Sequence, residues 1–514
     1  MLFFHNKKLN SQKALSFLWL LLGTLPLFFC NADYIVPIAP WIAYVFMMRF
    51  IRTQKPLVGL LVSMLACMTV SIIINRNAFP LPGIAYYAAA GFFGFVFWVP
   101  FIADRLLAHR LKGILSTFAF PLAYVSWEYI YASVSPYLSF GSLAYTQYGI
   151  LPLMQISSLC GIWGILFIIT WFASVINWLW ERNFDFHGVR LQAGCVIGFY
   201  ILTFLIGGLS FAAFSPNSST VRISSVVATP KTETLLKDTN WDDLWTGQEV
   251  VYEKTAKETA KPIFDQVLDE YLSISSQQAQ AGSKIILWQE GAVFSFKEDE
   301  EKYIGIAQKL AQEENIYLFM PMLVMPDSLP EVPAENKVVC IDPEGNVRFK
   351  YLKSFPVPGE PSRQGDGKMP IVDTPYGRIA LAICFDYDNP MYIRQAGAAG
   401  ADIMLAPAFD WKGITPYHAN ISAFRAIENG ASLVRCTGHG LSVAYDCQGR
   451  VLSAQNYFQN NQGAMVSFVP VKGTPTLYSF IGESFAWVSL GMFTVLFVLS
   501  IVTYKRTHEG QSMA

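Results

Sequence analysis

The chain has 514 residues, of which 53% are apolar, 15% aromatic and 15% charged, against about 25% charged in ordinary soluble domains. That composition excludes intrinsic disorder, which needs low hydrophobicity and high net charge. The formal net charge of −1 gives no basic surplus, so no nucleic-acid partner is expected.

The average hides two unlike parts. Residues 1–214 are apolar segments with short polar breaks. A membrane-spanning helix needs about 20 largely apolar residues, because the bilayer core offers no water to the backbone. Spans are expected near 14–30, 34–50, 56–75, 82–103, 113–134, 152–180 and 191–214, with one more near 484–504. The first two are short enough for a tilted hairpin. No small-residue cleavage site follows near Cys30, so the first span is expected to be retained rather than removed as a signal peptide. Gly91, Gly94, Gly161 and Gly164 read as positions of close helix packing. Glu128 is a carboxylate inside a span. Such a group is costly in hydrocarbon and implies either a helix partner or a function.

Eight spans put both termini on one side. That side carries Lys7, Lys8, Lys13, Arg49, Arg52, Lys55, Arg105, Arg110, Lys112, Arg182, Arg190, Lys505 and Arg506. The short loops opposite carry only Arg76. Basic loops stay in the cytoplasm, so residues 215–483 are expected on the outer face. In a double-membrane bacterium that is the periplasm.

From Ser215 the pattern changes. Apolar strand-like runs (221–229, 284–288, 316–324, 336–342, 347–353, 377–385, 401–408, 432–438, 441–449 and 463–471) alternate with helix-like stretches (247–280, 297–314, 388–399 and 416–430). This alternation argues for a layered α/β domain. Asp342-Pro343-Glu344-Gly345 and Cys447-Gln448-Gly449 read as hairpin turns. The expected organisation is a membrane domain over 1–214, an inserted catalytic domain over 215–483, and a last helix with a short tail over 484–514. The eight cysteines include no CxxC pair, and no His/Cys cluster has zinc-ligand spacing, so neither a metal nor another cofactor is expected.

Three residues share one position relative to strands. Glu290 follows the strand KIILW, Lys353 follows VRFKY, and Cys384 ends GRIALAIC. Side chains at strand ends converge at a sheet edge. A lysine favours a thiolate and stabilises an oxyanion, and a glutamate accepts the thiol proton. Glu, Lys and Cys together are a complete acyl-transfer set, although each alone has an ordinary structural explanation. His418 and His439 are alternative partners for Cys384, or hydrogen-bonding residues of core and rim. Arg425 and Glu428 read as a structural ion pair. Trp241, Trp245 and Trp411 fit a lipid-facing arm or interfacial anchors.

With these residues in view, the insert resembles the nitrilase, or carbon–nitrogen hydrolase, superfamily, whose catalytic residues run Glu, Lys, Cys. The whole chain is similar to the apolipoprotein N-acyltransferase family, in which such a domain sits between the seventh and eighth membrane helices. The carrying segments are DPEGNVRFKYLKSFPVPGE, PYHANISAFRAIENGASLVRCTGHG, TPTLY and LPLMQISSLCGIWGILF. The chain departs from the family pattern at Cys384-Phe385-Asp386, where Cys-Tyr-Glu is usual, and at Trp288-Gln289-Glu290, where Trp-Pro-Glu is usual. The resemblance implies a polytopic helical membrane bundle of about eight spans with an inserted nitrilase-like four-layer α/β sandwich. It implies Glu290 as general base, Lys353 as catalytic lysine and Cys384 as nucleophile. Glu360 would be a second supporting glutamate, and the Phe385 N–H an oxyanion donor. The implied enzyme is an acyltransferase of the bacterial inner membrane. Its partners would be a phospholipid acyl donor and a diacylglyceryl-lipoprotein acceptor, joined through a cysteine thioester. A membrane-tethered amidase or nitrilase-like hydrolase, in which water takes the acyl group, is the alternative.

Overall fold

A computed structural model describes residues 14–31, 34–213, 218–237, 254–326, 334–461 and 463–512. The expectations for Lys7, Lys8, Lys13, Trp241 and Trp245 fall outside these residues. The chain divides into two units, one formed by 1–213 with 481–514 and the other by Phe214–Phe480.

The first unit is helical. Among the described residues, five helices are long and apolar enough to cross a membrane: Pro56–Ile74, Gly83–Arg110, Ile162–Glu181, Arg190–Phe211 and Ser484–Thr503. Shorter helices lie at Ala39–Thr53 and Ala119–Val134, and a further apolar helix at Ala14–Phe29. Cys30 pairs with Ile35 in a two-residue antiparallel ladder that closes a hairpin between the first two helices. Gly94 packs as expected: a Cβ there would stand 2.7 Å from the Cys67 carbonyl oxygen. Gly161 corrects the reading of 152–180 as one span. Its φ of 63° ends the short helix Ser157–Cys160, and a new helix starts at Ile162. Left-handed backbone favours glycine because it has no Cβ to clash.

The second unit is a four-layer α/β sandwich. Among the described residues thirteen strands build it: β1 Thr220–Val226, β2 Ile285–Trp288, β3 Val293–Phe296, β4 Tyr317–Met325, β5 Glu335–Ile341, β6 Val347–Leu352, β7 Ile371–Thr374, β8 Gly377–Leu381, β9 Ile403–Phe409, β10 Ser432–Gly438, β11 Leu441–Tyr445, β12 Val451–Asn456 and β13 Ala464–Pro470. One sheet runs β13-β1-β2-β4-β5-β6, with β3 also paired to β4. The other runs β12-β11-β10-β9-β8-β7. The sheets face each other where β10 meets β1 and β9 meets β2. Helices Lys254–Gln280 and Glu300–Glu314 cover the first sheet, and Tyr417–Asn429 covers the second.

Local sequence explains these elements. In Lys254–Gln280, Phe264, Val267, Leu268 and Tyr271 are buried at i, i+3, i+4 and i+7, the stripe of a helix with one face on a core. Strand β4 is buried at all nine positions because both its faces are covered, so it shows no alternation. The helix Tyr417–Asn429 stops at Gly430, whose φ is 63° and where a Cβ would stand 1.7 Å from the Thr474 carbonyl oxygen. The hairpin turns expected at 342–345 and 447–449 close on Asp side chains. Asp342 Oδ1 accepts from the N–H of Glu344 and Asn346, and Asp446 Oδ1 from those of Gln448 and Arg450.

Candidate active site

The strand directions bring the sequence-predicted residues to one place. β2 and β4 are parallel, β5 reverses, and β6 reverses again. Chain segments leaving β2 and β6 therefore emerge at the same edge. Glu290 lies two residues past β2, Lys353 one residue past β6, and Asn336 at the start of β5. In the facing sheet β8 and β9 are parallel, and their ends carry Cys384 and Phe409.

Lys353 is the centre of the cluster. Its Nζ donates to Glu290 Oε1 at 2.8 Å and to Glu360 Oε2 at 2.7 Å. Asn336 Nδ2 donates to the same Glu290 oxygen at 2.7 Å and to Glu360 Oε1 at 3.0 Å. Glu360 also accepts from Ser362 Oγ and the Val357 N–H. Burial alone would push Lys353 down, but the two carboxylates hold it well above the ordinary lysine value, so it is an ammonium. Burial raises Glu360, and Lys353 more than offsets that, leaving it below its usual value. Glu290 Oε2 reaches across to the other sheet and accepts the Phe409 N–H at 2.9 Å.

Cys384 corrects one expectation. It does not end a strand: β8 stops at Leu381, and Cys384 opens a 3-10 turn that runs to Asp388. Its φ is 47°, a region an L-residue occupies at a cost, and such strain gathers at functional sites. The side chain is buried and its Sγ points to the Phe409 carbonyl oxygen at 3.8 Å. Burial first, and then the Glu290 charge, raise the thiol well above its usual pKa, outweighing the lowering by Lys353. The resting group is therefore a thiol.

The turn is tied to the lysine loop by Asp386. Its Oδ2 accepts the Ile383 N–H and the Tyr351 hydroxyl at 2.8 and 2.7 Å, and its Oδ1 accepts the Phe355 N–H at 2.7 Å. Burial pushes this carboxyl up to about 7 in spite of these donors. The Asp386 N–H is the first to close on the turn, onto the Ile383 carbonyl. The Phe385 N–H precedes it and has no partner within the turn.

Beyond this cluster lies a polar group the sequence did not assemble. His418 Nδ1 is 2.7 Å from Asp410 Oδ1, and its Nε2 is 2.6 Å from Asp388 Oδ2. Burial and Arg435 push the imidazole down, but the two carboxylates bring it up to about 9. Both ring nitrogens are engaged, so His418 is not free to act as a base toward Cys384. Ligand-type atoms of Cys384, Asp410 and His418 do lie within 4.8 Å of one another. Arg435 Nη2, however, is 2.9 Å from both Asp410 Oδ1 and His418 Nδ1. A guanidinium already supplies the positive charge a metal ion would bring there. His439 is engaged elsewhere, its ring tilted against those of Phe409 and Tyr457 and bound to Glu233. Arg425 and Glu428 form the expected buried ion pair at 2.9 Å. In the membrane unit, Glu128 is held by Ser142 Oγ at 2.7 Å and faces the Leu143 N–H at 3.4 Å. Trp411 is half-buried, and all eight cysteines are free thiols.

Asn336, Asp410 and Arg435 are the residues sequence reasoning missed. Asn336 stands at the head of an apolar strand, where an asparagine ordinarily reads as strand punctuation. Only the reversal of β5 carries it to the Glu290 edge.

With this geometry described, comparisons with known proteins become informative. The model of the apolipoprotein N-acyltransferase N-terminal domain matches residues 23–175, and that of the carbon–nitrogen hydrolase family matches residues 259–472. The apolipoprotein N-acyltransferase of Geobacter metallireducens is 25% identical over 425 residues, covering 77% of this chain and 77% of that protein. Apolipoprotein N-acyltransferase 2 of Treponema denticola is 23% identical over 474 residues, covering 82% of each. Among solved structures, an amidase from Nesterenkonia sp. aligns with 53% of this chain and 97% of its own, at 18% identity and a TM-score of 0.38. A family model matches each of the two parts, and the chain is similar to apolipoprotein N-acyltransferases along most of its length and theirs.

Proposed function

We propose that this protein transfers an acyl chain from a phospholipid, through a thioester on Cys384, to the N-terminal amine of a diacylglyceryl-cysteine apolipoprotein. The observation that carries the reading is the Lys353 ammonium clamped between Glu290 and Glu360, with Glu290 and Cys384 both bonded to Phe409. The family relationship supports the choice of donor and acceptor.

In the first half-reaction Cys384 Sγ attacks the ester carbonyl carbon while its proton passes to Glu290. Glu290 Oε1 already accepts two hydrogen bonds and Oε2 one, so Oε2 keeps a lone pair for that proton. Lys353 and the Phe385 N–H stabilise the oxyanion of the tetrahedral intermediate. Collapse breaks the C–O bond, and the leaving alkoxide takes the proton from Glu290 to become a lysophospholipid. In the second half-reaction the α-amine attacks the thioester and Glu290 accepts its proton. Collapse forms the amide and returns the proton to the Cys384 sulfur. Kinetics are ping-pong.

The membrane part supplies eight spans in this reading, the five long helices and three shorter ones, with the inserted domain on the periplasmic face of the inner membrane. The Lys/Arg distribution supports that orientation. So does an ion-pair cluster: Arg52 meets Asp104 at 2.6 Å and Glu181 at 3.1 Å, joining three helix ends that this topology puts on the same side.

The deciding experiment is mass spectrometry of purified protein after incubation with phospholipid. An acyl adduct on the Cys384 peptide is expected, discharged by a diacylglyceryl-cysteine peptide far faster than by water. Full product formation by Cys384→Ala would remove the mechanism. Discharge by water alone would leave a hydrolase.

A further inference from the structure

Arg435 lies in the middle of β10, in register with Ala406 of β9 and Val443 of β11. It is completely buried. A guanidinium has five N–H donors and cannot shed its charge, so its partners in such a place have to be accounted for. Nη2 donates to Asp410 Oδ1 and abuts His418. Nε and Nη1 have no hydrogen-bond partner among the described residues, and neither has Asp410 Oδ2. A buried cation left with open donors is costly as a purely structural element. Its surroundings supply a different reason for it. Asp410 directly follows Phe409, whose backbone receives Cys384 from one side and supports Glu290 on the other. An Asp410 carboxylate oxygen and the Cys384 sulfur lie within 4.8 Å. The charges that act on Cys384 are Glu290 and Asp410 on the negative side, and Lys353 and Arg435 on the positive side.

Lys353 is already committed to two carboxylates at 2.8 and 2.7 Å. Its charge is shared with them, so a sulfur that loses its proton beside Glu290 and Asp410 gains from further positive charge on the other sheet. We propose that Arg435 is a positioning residue for Cys384: it anchors Asp410 and His418 behind the nucleophile, and its charge, set against that of Asp410, governs how readily the sulfur gives up its proton. Lys353 then serves the oxyanion, Glu290 and the sulfur, and Arg435 adds to it at the sulfur from the other sheet. Two ion pairs, Lys353 with Glu290 and Arg435 with Asp410, thereby flank one thiol from the two facing sheets, with His418 beside Asp410.

The inference rests on the reading of Cys384 as nucleophile, and its test is chosen to stand apart from that reading. Full-length protein in detergent is treated with iodoacetamide, and the alkylation rate of the Cys384 peptide is followed by mass spectrometry. Alkylation reports thiolate at the free sulfur, and it does so whether or not that sulfur is the acyl carrier in turnover. One unit in thiol pKa is a tenfold change in thiolate fraction at fixed pH. Arg435→Met should therefore slow alkylation about tenfold, and Asp410→Asn should speed it by a similar factor. Arg435→Lys should keep most of the wild-type rate. A merely structural cluster would move both charge-removing variants the same way. Equal slowing in Arg435→Met and Asp410→Asn, or an unchanged rate in both, overturns the proposal. Should Arg435→Met fail to fold, Asp410→Asn decides by its sign: faster alkylation supports the proposal, and unchanged or slower alkylation overturns it. If Cys384→Ala retains acyl transfer while the alkylation rates move as stated, the assignment of the nucleophile is wrong and the electrostatics stand.

Discussion

Glu290 and Cys384 are held by opposite sides of one residue. The Phe409 N–H donates to Glu290 Oε2 at 2.9 Å, and the Phe409 carbonyl accepts from Cys384 Sγ at 3.8 Å. The proposed base and the proposed nucleophile come from different sheets, and the end of β9 fixes the spacing between them. Phe409 makes these contacts through its backbone, so its side chain is not what sets the geometry.

The first prediction concerns Glu290. Glu290→Gln keeps the shape and removes the proton acceptor. Because the thiol rests protonated, no thiolate waits to attack, and loss of a general base should cost about 10²–10⁴-fold. Both half-reactions need the proton transfer, so thioester formation and thioester breakdown should slow alike. Single-turnover acylation followed by addition of the acceptor peptide measures the two steps separately. Acylation at the wild-type rate would show that Glu290 has another role.

Lys353→Met keeps much of the length and removes the charge. Its effect should be double. The rate should fall about 10²–10³-fold, the scale of a lost oxyanion donor. The fold should also weaken, because Glu290 and Glu360 are left buried without their cation. Breaking a buried pair in this way costs about 3–5 kcal/mol. Unfolding followed by intrinsic fluorescence reads the second effect. A variant that is slow but as stable as wild type would mean the buried carboxylates find other partners.

How far the sequence carried this site depends on which residues are considered. β2 and β9 are uninterrupted apolar runs and are visible because both their faces are covered. The edge strands β7 and β12 were missed, since their half-exposed residues IVDT and VLSAQN lack such a run. Glu290 and Lys353 stand out because each directly follows a recognisable strand. The conformation of Cys384 was not legible: GRIALAICF reads as one continuous strand, and the turn that lifts Cys384 out of it depends on the Asp386 side chain bonding back to Ile383. Asp410, His418 and Arg435 come from a strand end, a helix and a second strand. No spacing rule links them before the sheet is assembled.

His418 gives stability a specific pH dependence. Its folded pKa is raised from 6.5 to about 9 by Asp388 and Asp410, against burial and Arg435. The folded state thus binds this proton more tightly than the unfolded state does. The stabilisation is complete below about pH 6.5 and is lost as pH rises to about 9, with a total of about 3 kcal/mol. Asp386, raised to about 7 by burial, loses stability in the same direction but has finished titrating near the start of this window. Between pH 7.5 and 9 the melting temperature of the wild type should fall more steeply than that of His418→Gln, in which only the buried thiols still lose stability toward pH 9. Parallel curves would mean that the histidine is not held as a cation.

The last prediction is the orientation of the inserted domain, on which access to a periplasmic lipoprotein depends. Thirteen Lys and Arg residues fall on one side of the expected spans, and the short loops opposite carry only Arg76. The Arg52 cluster supplies an argument independent of counting. Arg52 ends the helix Ala39–Thr53, Asp104 sits in Pro100–Leu107 and Glu181 ends Ile162–Glu181. Ion pairs of 2.6 and 3.1 Å between them require these three ends to lie at one face of the helical unit. Any topology with an odd number of crossings between Arg52 and Glu181 contradicts those contacts. From Arg190 the chain crosses once more before the insert begins, so the insert belongs on the face opposite to Arg52. A reporter active only in the cytoplasm should be silent when fused near residue 216 and active when fused after Arg506. The reverse pattern would put Cys384 on the cytoplasmic side and separate the enzyme from a periplasmic acceptor. Activity at both fusions would mean an even number of crossings between Arg52 and residue 216 and none at Ser484–Thr503, and would remove two of the spans proposed here.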